Sequence, residues 1–297
     1  MLKKTSIIFL LVFFSQGIAL TKQPSRKEIA SFTKSTLKER NEEAARKYFD
    51  LANDLSNKQD SEQAIFNLSE AIRLNPQYAE AYNNRGLLYS AKGEFEKAIS
   101  DFNRAIELKS DYAIAYDNRG FVYASKADPT RAISDFTRAA QINPKFSEAY
   151  NNRGCAYLNI NDCDMAIKDF DKAIDIEPKY SSAYYNRGLA FAIKNDLDKA
   201  IADFTKSIEF NPLTATFVNR GTAYSHKGDL DKAINDFSKA LELEPASAEV
   251  LYNRAIVYCD KRDYDLAWND LHKAAALGCK IDPAFLEQLK RESGREG

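Results

Sequence analysis

Ala81-Tyr82-Asn83-Asn84-Arg85-Gly86 is the stretch on which the reading of this chain turns. It returns as Ala115-Tyr116-Asp117-Asn118-Arg119-Gly120, as Ala149-Tyr150-Asn151-Asn152-Arg153-Gly154 and as Ala183-Tyr184-Tyr185-Asn186-Arg187-Gly188. Two weaker copies follow, Thr216-Phe217-Val218-Asn219-Arg220-Gly221 and Val250-Leu251-Tyr252-Asn253-Arg254-Ala255. Successive arginines stand 34, 34, 34, 33 and 34 residues apart. A fixed period of that size belongs to stacked repeat architectures, in which a unit buries its apolar face only against its neighbours.

Each unit reads as two helices. In residues 79–112 the first helix carries Tyr82, Gly86 and Tyr89, and Gly93 turns the chain. Phe95, Ala98, Ile99, Phe102, Ala105, Ile106 and Leu108 then follow at helical spacing. Asn75-Pro76, Asn143-Pro144, Glu177-Pro178, Asn211-Pro212 and Glu244-Pro245 end the units, because proline disfavours helix before it and cannot continue the ladder. Asp128, Asp162, Asp196, Asp229 and Asp263 stand where second helices begin, an N-cap role. Asn161, Asn195 and Gly228 stand just before these caps, and Gly93 holds the same place before Glu94; these residue types tolerate a left-handed backbone. Gly86, Gly120, Gly154, Gly188 and Gly221 allow close approach of the second helix. Its alanines (Ala98, Ala132, Ala166, Ala200, Ala233, Ala267) and phenylalanines (Phe102, Phe136, Phe170, Phe204, Phe237) pack there.

The spaced tyrosines, glycine, alanines, phenylalanine and proline resemble the tetratricopeptide repeat over roughly residues 46–280. The resemblance implies an all-α fold, an alpha-alpha superhelix of about seven helix-turn-helix repeats whose first helices line a concave groove. The expected units are 45–78, 79–112, 113–146, 147–180, 181–213, 214–247 and 248–281, the first of them degenerate. Residues 282–297 are expected to supply a capping helix to about Arg291 and a disordered tail from Ser293.

Two ladders stand apart from this packing pattern. Arg85, Arg119, Arg153, Arg187, Arg220 and Arg254 occupy a place that is usually apolar in the family. Asp101, Asp135, Asp169, Asp203, Asp236 and Asp270 recur at one place on the second helix. The degenerate first unit has Leu51 and Asn67 instead, so both members change together. A structural ion pair within or between units is favoured over a ligand-facing role. The second ladder is Asn84, Asn118, Asn152, Asn186, Asn219 and Asn253. By resemblance this place faces the groove, where an amide can donate to and accept from the backbone of an extended peptide. The competing reading is a solvated polar position multiplied by duplication. Tyr185 and Tyr252 beside the ladder are candidate apolar anchors, set against ordinary helix-packing tyrosine. Asn83, Asp117, Asn151, Tyr185, Val218 and Tyr252 precede the asparagines; none is lysine, which argues against a clamp for a C-terminal carboxylate.

At the start of the chain, Lys3 and Lys4 precede the apolar run Ile7 to Phe14, and Gly17-Ile18-Ala19 offers small residues for cleavage. Residues 1–19 are therefore expected to be a signal peptide and residues 20–44 an N-terminal extension, helical from about Arg26 behind a capping box at Ser25-Arg26-Lys27-Glu28. Export makes the four cysteines worth weighing as disulfides; Cys155 and Cys163 flank one turn, while Cys259 and Cys279 lie a helix length apart. With 42 basic and 43 acidic residues the chain has no nucleic-acid footprint. No Cys/His spacing suits zinc, no Gly-rich phosphate loop appears, and no nucleophile has a histidine base, so no metal, cofactor or catalysis is implied. The expectation is an exported, periplasmic or secreted, non-enzymatic scaffold that binds a protein or peptide in its groove. The alternatives are a membrane-tethered, self-associating structural protein and an accessory subunit of a separate enzyme.

Overall fold

The computed structural model describes residues 25–295, so the expected signal segment lies outside the described residues. The described residues are all-helical. The helices are α1 (Arg26–Asn57), α2 (Ser61–Leu74), α3 (Ala79–Ala91), α4 (Phe95–Leu108), α5 (Ala113–Ser125), α6 (Pro129–Ile142), α7 (Ser147–Asn159) and α8 (Cys163–Ile176). They continue as α9 (Ser181–Ile193), α10 (Leu197–Phe210), α11 (Thr214–His226), α12 (Leu230–Leu243), α13 (Ala248–Asp260), α14 (Tyr264–Ala276) and α15 (Pro283–Ser293). The chain divides into two compact units, Met1–Leu88 and Tyr89–Gly297.

In the first unit, α1 is one continuous helix opened by a reciprocal capping box between Ser25 and Glu28. Among its described side chains the first that is fully buried is Ala45. Ala45, Ala52, Ala64, Leu68, Ala71, Ile72 and Ala81 make the core of this unit.

In the second unit, neighbours in sequence pack as antiparallel pairs, α5 with α6, α7 with α8, α9 with α10, α11 with α12 and α13 with α14, and each pair packs on the next. The turn inside a pair is compact because one motif closes the first helix and opens the second. At α5/α6, Ala127 N–H donates to Ala124 O and Asp128 N–H to Tyr123 O at 2.9 Å, a Schellman closure. The closure needs a left-handed residue, supplied by Gly93, Asn161, Asn195 and Gly228, and also by Ala127 and Arg262 at φ 57° and 68°. Asp128, Asp162 and Asp196 then accept from the backbone N–H three residues on. Asp229 and Asp263 hold the same place but do not cap; their carboxylates turn instead to Lys232 and Lys261.

Inside the pairs from α5/α6 to α11/α12 a glycine sits against a buried phenylalanine. A Cβ on Gly154 would stand 2.5 Å from Phe170 Cε1, so only glycine fits beside that ring. In the last pair alanine replaces glycine at Ala255, and the facing residue is Leu271 instead of phenylalanine. The two changes compensate in volume, as a close-packed core requires.

Helix α15 closes the open end. Phe285 and Leu289 are buried against Tyr252, Trp268 and Leu271. The helix runs further than the sequence suggests. Ser293 ends it and takes a hydrogen bond from Trp268 Nε1 at 3.0 Å, so the chain at Ser293 is held by the core and is not a tail.

Candidate functional site

The ladder arginines lie between helices and make three-way clips. Arg187 donates from Nε and Nη2 to both Asp203 oxygens at 2.8 and 2.7 Å, across its own helix pair. Its Nη1 reaches back to Asp171 of the preceding pair at 2.6 Å. The same bidentate geometry joins Arg119 to Asp135, Arg153 to Asp169, Arg220 to Asp236 and Arg254 to Asp270. The third bond goes to Asn103, Thr137, Thr205 and Ser238 respectively. In the first unit Arg85 donates to Ser69 Oγ at 3.0 Å. Asp101 is buried in the second unit like its counterparts. The third partners were missed in the sequence reading, although a signal exists: a small polar residue stands two places after Asp101, Asp135, Asp169, Asp203 and Asp236.

Charge is well held here. For Arg187 and Arg153 the aspartate hydrogen bonds outweigh burial, and the guanidinium is held above its ordinary value. For Arg119, Arg220 and Arg254 burial opposes the charge, and the facing carboxylate more than offsets it. Each guanidinium also lies over an aromatic ring, as Arg187 does over Tyr184 at 5.5 Å.

The asparagine ladder falls on a different face, where consecutive first helices adjoin. Asn152 Nδ2 donates to the Asp117 carboxylate at 3.1 and 3.2 Å. Asn186 Nδ2 donates to Asn151 Oδ1 at 2.9 Å and to Cys155 Sγ at 3.3 Å. Asn219 Nδ2 donates to the Tyr185 hydroxyl at 2.9 Å, and in the first unit Asn84 donates to Asn53 at 3.0 Å. These amides therefore link one repeat to the one before it. Asn118 and Asn253 are half-buried on the same face. Tyr185 also packs on Phe204, with ring centroids 6.0 Å apart. Tyr252 is covered by the closing helix, edge-on to Phe285 at 5.6 Å.

This first-helix face of the second unit retains exposed apolar side chains. Ile114, Phe121 and Ile193 are 49%, 57% and 57% exposed. Asp117 lies among them, buried; desolvation pushes its carboxyl up to about 6, against the Asn152 hydrogen bond and with Glu148 adding to the rise. All four cysteines are free thiols, and burial pushes Cys155 and Cys259 up to about 11. Among the described residues no cluster of His, Cys, Asp or Glu has metal-binding geometry, and no helix is long and apolar enough to cross a membrane.

Three family profiles match the chain. One described as tetratricopeptide repeat matches residues 79–112, 147–180 and 181–212, and another of that description matches 113–146. A third, described as TPR repeat, matches 53–93 and 221–261. Together they span more than half of the chain. No curated protein matches. Among solved structures, a tetratricopeptide repeat protein from Parabacteroides merdae is 20% identical at TM-score 0.61, covering 85% of this chain and all of its own. PilF of Pseudomonas aeruginosa is 18% identical at TM-score 0.64, covering 71% of this chain and 96% of its own. YrrB, described as a TPR protein with an unusual peptide-binding site, is 26% identical at TM-score 0.51, covering 62% of this chain and 95% of its own.

Proposed function

This chain belongs to the tetratricopeptide-repeat family, and on that premise we propose that it is an exported, non-catalytic scaffold that binds a peptide or protein segment along its first helices. The observation that carries the reading is the exposure of Ile114, Phe121 and Ile193 on a face whose neighbours are otherwise engaged in inter-repeat bonds. Exposed apolar side chains grouped on one face favour a partner. The amide nitrogens of Asn152, Asn186 and Asn219 already donate between repeats, so at these positions the ladder offers a ligand its carbonyl oxygens, as acceptors for peptide N–H groups. Tyr185 supplies contact area beside them, whereas Tyr252 serves the closing helix. Export rests on Lys3, Lys4, the apolar run Ile7 to Phe14 and Ala19.

The test is affinity capture from cell-envelope and secreted fractions with the wild type beside Phe121→Ser/Ile193→Ser. A partner held by the wild type and lost by the variant, with helicity unchanged, supports the reading. Equal retention moves the binding site off this face. Sequencing the mature N-terminus tests export: a start at Leu20 supports it, and an intact Met1 overturns cleavage.

A further inference from the structure

The first helices of the second unit have a one-sided charge. Helices α5, α7, α9, α11 and α13 contain only five formally cationic residues, Arg119, Arg153, Arg187, Arg220 and Arg254. All five are locked to buried aspartates on the second helices. Lys126, Lys194, Lys227 and Lys261, at the C-terminal ends of four of these helices, are paired with Glu96, Asp164, Asp198 and Asp231 of the preceding pair. Lys109, Lys145 and Lys179 lie in the connections before α5, α7 and α9, outside the helices. The acids of the five helices are Asp117, Glu148, Glu249 and Asp260, and no cation pairs with them among the described residues.

A depression of about 300 Å³ concentrates this imbalance at the start of α11 and α13. Ala215, Val218 and Val250 line it beside the polar Thr214, Asn219 and Ser247, and its carboxylates are Glu244 and Glu249. Two carboxylates in a hollow with a few apolar side chains suit a side chain with an aliphatic stem and a cationic head.

We propose that the occupant of this face is an extended, cationic polypeptide segment. One lysine or arginine enters the hollow between Glu244 and Glu249, and apolar side chains of the same segment meet Ile193, Phe121 and Ile114. The proposal rests on the scaffold reading above and adds the chemistry of the partner. The locked arginines are central to it: a face with five arginines in its repeated motif would attract anions if those charges were free. Sequestering them in bidentate pairs reverses the sign that the face presents.

The experiment uses the full chain and three short, end-blocked peptides of one pattern, alternating leucine with lysine, with glutamine or with glutamate. Affinities are read by fluorescence anisotropy at low and high salt. The lysine peptide is expected to bind more tightly than the glutamine peptide, and the glutamate peptide least. Glu244→Gln and Glu249→Gln should each weaken the lysine peptide about two- to fivefold and leave the glutamine peptide unchanged, and salt should erode the preference. Equal affinity for lysine and glutamine peptides, or tighter binding of glutamate, overturns the cationic assignment. If Phe121→Ser then still weakens all three, the face stands as a peptide site of another chemistry. If Phe121→Ser changes none of them, the scaffold reading fails as well.

Discussion

Two ladders of ion pairs run along the second unit, and the same kinds of charge do different work in each. One is the buried ladder of Arg119–Asp135, Arg153–Asp169, Arg187–Asp203, Arg220–Asp236 and Arg254–Asp270, whose aspartate side chains are 8% exposed or less. The other lies at the hairpin edge and joins Lys126 to Glu96, Lys194 to Asp164, Lys227 to Asp198, Lys261 to Asp231 and Arg295 to Asp265, with acids at least 74% exposed. The edge ladder skips the place where Ile160 and Thr130 stand, and the stacking of α7 on α6 continues without it. Every pair from α5/α6 to α13/α14 has its buried rung. Water screens the edge charges almost completely, so a rung there is dispensable. Inside, the desolvated arginine must find its carboxylate, and the bidentate fork fixes how two helices meet.

Breaking a buried rung should give the largest effect. Asp203→Ala leaves the Arg187 guanidinium without its bidentate partner and should cost about 3–5 kcal/mol by urea denaturation. Replacing both members together, Arg187→Leu with Asp203→Asn, installs the residue types that the first unit carries at Leu51 and Asn67. This double variant should recover about half or more of that loss, because no buried charge is left unpaired. A double variant as unstable as the single one would show that the fork itself holds the helices together.

Asp117 sharpens the contrast as a buried acid with no cation. Its carboxyl is raised to about 6, so the folded chain holds a proton that the unfolded chain has released. Stability therefore falls as pH rises from about 4 through 6, and the strain is fully present at pH 7. Asp117→Asn, which copies Asn83 and Asn151 at the equivalent places, should add about 1–3 kcal/mol at pH 7 and flatten the pH profile of stability between those values. An unchanged profile would mean that Asp117 is solvated in the folded chain. The smallest effect belongs to the edge: Lys194→Ala should leave the denaturation midpoint unmoved within error, and a clear drop would place that ladder on a par with the buried one.

Much of this was legible beforehand because it repeats. The period marked the helix pairs, and the spaced glycines, alanines and phenylalanines marked their interfaces. The joint exchange of Arg and Asp for Leu51 and Asn67 tied the two positions to one another. The third arm of each arginine was marked by place but not by bond: Asn103, Thr137, Asp171, Thr205 and Ser238 recur two residues after an aspartate with a small polar character, and nothing within one repeat says that the arginine of the next reaches them. The asparagine ladder was legible as a pattern but not as a bond. Its acceptors are chemically unlike one another, a carboxylate in Asp117, an amide in Asn151 and a phenol in Tyr185.

What the sequence determined by itself is whatever depends on local and periodic terms: helix, turn, cap, and the recurrence of a surface that one unit cannot bury alone. The tertiary structure decided which charges are visible. Arginine and aspartate stand 16 residues apart in the pairs from α5/α6 to α13/α14. Only the packing of one helix on the next brings them together out of water, cancels their charge and leaves the outer carboxylates to set the sign of the face, because electrostatic energy depends on distance and dielectric and not on position along the chain.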